Sequence, residues 1–73
     1  MYAEKIQRLE NEIIELKKYI KKDKKEIKKR EKILSMVLDN DVEVEIEMYK
    51  EEIEKFTNEL KTRKELIKNY KKL

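Results

Sequence analysis

Residues 36–43 read Met36-Val37-Leu38-Asp39-Asn40-Asp41-Val42-Glu43, and the polar triplet at their centre is the only cluster of turn-forming residues in the chain. Asp, Asn and Asp in succession make a poor helix interior, because their short side chains compete with the helix for backbone hydrogen bonds. Asn40 tolerates the left-handed conformation that closes a helix, and Asp41 has the side chain to cap the next one. Glu43 and Glu45 then fall in a first turn, where the helix dipole favours negative charge.

On both sides of this triplet the apolar residues follow a heptad. Upstream, Ile6, Leu9, Ile13, Leu16, Ile20, Ile27, Leu34 and Val37 alternate at three and four residues, with Asp23 and Arg30 at the skipped positions. Downstream, Ile46, Tyr49, Ile53, Phe56, Leu60, Ile67 and Tyr70 do the same around one charged interruption, Arg63. Sustained spacing of this kind marks the seam of packed helices. Lys68, Lys71 and Lys72 suit the negative end of a final turn. The sequence therefore predicts one domain: a helix over about 2–38, a turn at about 39–41 and a helix over about 42–72.

The expected fold class is all-α, an antiparallel two-helix coiled-coil hairpin. A single unbroken helix forming a long parallel dimer is the competing reading. The triplet and the change of seam spacing between Val37 and Val42 weigh against it. Val42 to Ile46 alternates like a strand but is too short to outweigh a long helix.

Composition narrows the function. The 73 residues contain no Gly, Pro, Cys, His or Trp. Without Cys or His there are no zinc sites, thiol or Ser-His nucleophiles, or imidazole acid–base chemistry. Without Gly there is no phosphate-cradling loop. Glu47, Glu51 and Glu54 share one helix face, where carboxylates are able to hold a hard cation, but an acidic face left to solvent is the simpler reading. A two-helix rod offers no cleft in which to tune a catalytic carboxylate. The expectation is a non-enzyme with no cofactor and no metal. No apolar run nears the roughly 18 residues of a membrane span, and no signal-peptide core opens the chain, so a cytoplasmic protein without a membrane partner is expected.

At 51% charged and 38% apolar, two helices bury too little on their own. Self-association is the expected remedy, most simply a homodimer closing a four-helix bundle. The charge is arranged in blocks. Residues 17–32 carry ten basic and three acidic side chains, and residues 39–54 carry eight acidic and one basic. Folding the chain back is expected to set 21–32 beside about 51–62, where Glu51, Glu52, Glu54 and Glu59 lie.

Three groups of residues are candidates for function. Off-seam apolar residues crowd around the turn: Ile33, Met36 and Leu38 before it, Val44 and Met48 after it. An end that is apolar on nearly every side has to be covered, by a second copy or by another protein, and Met supplies an adaptable contact. A Lys-rich face, Lys18, Lys21, Lys22, Lys25, Lys28 and Lys29, is able to neutralise phosphates, so a small nucleic-acid-binding regulator is the first alternative to a protein-interaction module. Base-reading and stacking side chains are scarce there. The second alternative is an arm of a larger coiled-coil protein. Finally, Asp23 and Arg63 are expected to pair across the seam. A turn near 40 sets Val37 level with Ile46, Leu34 with Tyr49, Ile27 with Phe56, Asp23 with Leu60 and Ile20 with Arg63, so the two charges fall in neighbouring layers and fix the register. No motif places the chain in a family.

Overall fold

The computed structural model describes residues 2–73. Two helices make up almost all of it: α1 spans Ala3–Leu34 and α2 spans Asn40–Lys72. They pack against one another along their length as an antiparallel hairpin, a rod of 55 × 14 × 13 Å. Its Cα radius of gyration is 16.7 Å, against about 11 Å for a compact domain of this length. No helix among the described residues is long and apolar enough to cross a membrane.

The turn lies earlier than the sequence predicts. α1 ends at Leu34 rather than near Leu38. The Ser35 N–H still bonds to the Glu31 carbonyl, the Ser35 hydroxyl donates to the Lys32 carbonyl, and the Met36 and Val37 N–H groups both close on the Ile33 carbonyl. Asp39, not Asp41, caps the second helix. Its backbone is extended, and its carboxylate accepts from the Asp41 N–H at 3.0 Å. With the cap at Asp39, Asp41 and Glu43 both enter the first turn, so the dipole is matched by two acids at once. No described residue has a positive φ, so the left-handed role expected of Asn40 is not taken.

This displacement changes which residues face each other. Phe56 lies against Tyr19, with ring centroids 5.6 Å apart, and Arg30 bonds to Glu45. The heptad layers that follow set Ile20 level with Phe56, Ile27 with Tyr49 and Arg30 with Ile46. That is one heptad, about 10 Å of slide, from the expected register. A slip of seven residues keeps every seam residue facing the seam, so the apolar pattern admits only registers a heptad apart. Moving the turn a few residues toward the N-terminus selects the neighbouring one. At the open end Tyr2 stacks on Tyr70 at 5.4 Å, which closes the seam there.

The seam residues from Ile6 to Leu34 and from Val42 to Tyr70 are all buried or half-buried. Among the described residues only Ile13, Leu16 and Ile46 are apolar and buried outright, and none has a completely enclosed side chain. Val37, expected to layer with Ile46, is exposed because it belongs to the connection.

The position of the cap is testable. Asp39→Ala should cost about 1 kcal/mol, lowering Tm by several degrees in a circular-dichroism melt. Asp41→Ala should cost less, since it loses only a dipole contact. The reverse ranking would put the cap back at Asp41.

Candidate functional site: the apolar turn and one flank of the hairpin

The connection ends α1 before its apolar residues are used up. Met36, Val37 and Leu38 therefore stand outside any helix, and Leu38 is 95% exposed and Met36 70%. Ile33 on the last turn of α1, and Val44 and Met48 on the first turns of α2, are exposed beside them. All five sequence-predicted tip residues thus gather at one end of the rod. The hairpin leaves them uncovered, an apolar patch of the kind that marks contact surfaces.

A second feature runs along the rod. Glu12, Tyr19, Glu26 and Ile33 are spaced by seven on α1, and Glu45, Glu52, Glu59 and Leu66 by seven on α2. The antiparallel seam brings the two rows to the same flank. Arg63 reaches from the seam to Glu12 at 2.8 Å, and Arg30 reaches to Glu26 at 2.6 Å and Glu45 at 2.7 Å. The Arg30 guanidinium also lies 4.7 Å over the Tyr49 ring. Charged seam positions are tolerated here because each stem lies on the seam and each head meets carboxylate at its edge. The Arg30 bond holds the Glu26 carboxyl below its ordinary value, and the Glu26 and Glu45 bonds raise the already high Arg30 pKa further. Exposed Tyr19, Ile33, Met36, Met48 and Leu66 lie along this flank, which is indented by shallow grooves between Arg8, Leu16, Tyr19 and Arg63 and between Met48, Tyr49 and Glu52. The opposite flank, around Glu31, Glu43, Glu47 and Lys50, carries a single isolated exposed apolar side chain among the described helix residues, Ile14.

The expected Asp23–Arg63 pair does not form. The one-heptad slip carries Arg63 away from Asp23 to Glu12, and it leaves Asp23 beside Glu52. Asp23 is 5% exposed, and its Oδ2 has no hydrogen-bond partner. Burial first, and then the neighbouring Glu52 carboxylate, push its pKa from 3.8 up to about 6. The partners that Arg63 and Arg30 do find were missed from the sequence. Glu26 was signalled by its four-residue separation from Arg30, whereas Glu12 and Glu45 come into reach only through the observed register.

Lys18, Lys21, Lys22, Lys25, Lys28 and Lys29 are all exposed. Lys18 and Lys29 make long contacts of 3.7 Å to Glu15 and Glu26, while Lys21, Lys22, Lys25 and Lys28 take part in no ion pair among the described residues. In the observed register the basic block 17–32 lies alongside about 43–58 rather than having 21–32 beside 51–62. Most of the acidic block 39–54 therefore sits next to it. No group of three or more carboxylates among the described residues is placed to hold a metal ion. No protein-family model, curated protein or solved structure matches the chain at a significant level.

The raised Asp23 pKa has a definite sign. The folded state binds this proton more tightly than the unfolded chain does, so its stabilising contribution is full below pH 3.8 and is lost as pH rises through about 6. Glu26 acts oppositely, and its contribution is lost as pH falls below its ordinary 4.5. At fixed protein concentration, Tm should rise on acidification from pH 7 to 5 and fall again below pH 4.5. Asp23→Leu should raise Tm at pH 7 by several degrees and abolish the rise between pH 7 and 5. A variant that melts lower than the parent at pH 7 would mean that Asp23 has a cationic partner.

Proposed function

We propose that this chain is a non-enzymatic protein–protein interaction module, working as a helical hairpin that self-associates into a four-helix bundle. The observation that carries the reading is the apolar end of the rod, where Ile33, Met36, Leu38, Val44 and Met48 stand exposed together around the turn. A second supports it. The total accessible surface is 6203 Å², whereas a compact monomer of 9.1 kDa exposes about 4,900 Å². The excess is comparable to the ~800 Å² that each partner buries in an ordinary protein–protein interface. The reading as a non-enzyme draws on the same geometry. The one carboxyl raised toward neutrality, on Asp23, has its free oxygen buried in the seam, out of reach of a substrate.

One observation favours a second reading, that of a nucleic-acid-binding regulator. Lys21, Lys22, Lys25 and Lys28 form an exposed row without carboxylate partners on the outer side of α1. Against it, the only ring near that row is Tyr19, and it is already engaged with Phe56.

The tip is tested with the double variant Met36→Glu, Met48→Glu in sedimentation equilibrium across a micromolar concentration series. Charge placed in a dry contact should weaken association at least a hundredfold, while helix content by circular dichroism stays unchanged because neither side chain packs within the hairpin. Unchanged association would show that the tip takes no part.

A further inference from the structure

We infer that the partner of the apolar turn is a second copy of this chain lying side by side with the first and pointing the same way. Each α1 then rests on the other copy's α2, and both turns sit at one end. The inference rests on the reading of the chain as a self-associating module and specifies the geometry of that association. Its first support is the uneven distribution of exposed apolar side chains. Tyr19, Ile33, Met36, Met48 and Leu66 fall along a single flank, and the other flank has only the isolated Ile14 among the described helix residues. A two-fold interface uses the same patch on both copies, so one apolar flank is what such an interface needs.

Charge and the turn then choose between the two ways of laying that flank on its copy. A two-fold axis along the rod puts the basic block 17–32 of each α1 on the acidic block 39–54 of the other copy's α2. These blocks carry ten basic against three acidic and eight acidic against one basic side chains. It also brings both turns to one end, where Ile33 and Met36 of each copy lie within about two helical turns of the other copy's Met48. A two-fold axis across the rod pairs α1 with α1 and sends each turn to the far end of its copy. There Ile33 and Met36 would meet the side chains around Glu4 and Lys5. The first arrangement covers the turn, and the second trades it for charge. Lys22 and Lys29 of α1, on the rim of the flank, then face the row of Glu45, Glu52 and Glu59.

The chain has no cysteine, so single labels are easily placed. Spin labels attached through Leu38→Cys, at the exposed turn, and separately through Leu73→Cys, at the open end, report the distance between copies by pulsed electron resonance. Light scattering on the same samples reports mass. Both labels should give intermolecular distances below half of the 55 Å rod, at a mass of two chains. Lys22→Glu with Lys29→Glu should weaken the dimer at least tenfold. A dimeric mass with both label pairs separated by about the rod length overturns the side-by-side arrangement and leaves the interaction module standing. A monomeric mass at micromolar concentration overturns both. If that monomer also retains nucleic acid in low salt through the same lysines, the basic face belongs to phosphate instead.

Discussion

The register of this hairpin hangs on where two charged side chains on the seam, Arg30 and Arg63, find their partners. Heptad packing is indifferent to a slip of seven residues, because every seam position still faces a seam position either way. Arg30 and Arg63 are not indifferent. Arg30 reaches Glu45 across the helices only when it lies level with Ile46, and Arg63 reaches Glu12 only when it lies level with Ile13. Each is also anchored within its own helix, Arg30 to the Glu26 carbonyl and carboxylate, Arg63 to the Glu59 carbonyl. Two guanidinium groups about 25 Å apart along the rod, one toward each end of the seam, thus hold the same alignment. Asp23 opposes it, since the register that seats both arginines leaves this carboxyl buried without a cation.

The rest of the molecule follows from that alignment. It matches the basic stretch of α1 to the acidic stretch of α2, and it ends α1 at Leu34, so that Met36, Val37 and Leu38 are left over in the connection. A hairpin with one more layer at the turn would cover Val37. This one leaves the turn open and has, among the described residues, three buried apolar side chains of its own. Stability of a single copy is correspondingly thin, and burial on a second copy, as proposed, would supply what two helices lack.

Much of the architecture was legible in the sequence. The paired heptads and the Asp-Asn-Asp triplet mark two helices and a reversal, and the off-seam apolar residues mark the exposed end. The details at the turn were not legible, for a physical reason. Asp39 and Asp41 are both competent caps, and their choice depends on whether Leu34 to Leu38 continue the helix, a difference of a few tenths of a kcal/mol per residue in propensity. That small difference lets the turn follow the register that seats Arg30 and Arg63, which the apolar seam pattern does not choose. The Asp23–Arg63 pairing fell with it. The role of the flank acids as seats for Arg30 and Arg63 becomes visible only once the register is known.

Small-angle X-ray scattering of the unmodified chain at micromolar concentration tests the central claim most directly, since one curve gives both mass and length. A side-by-side dimer gives a forward scattering of two chains, a longest dimension still close to the 55 Å of one hairpin, and a cross-section larger than its 14 × 13 Å. A mass of one chain with the 16.7 Å radius of gyration of the single rod, or a particle roughly twice as long, would contradict it.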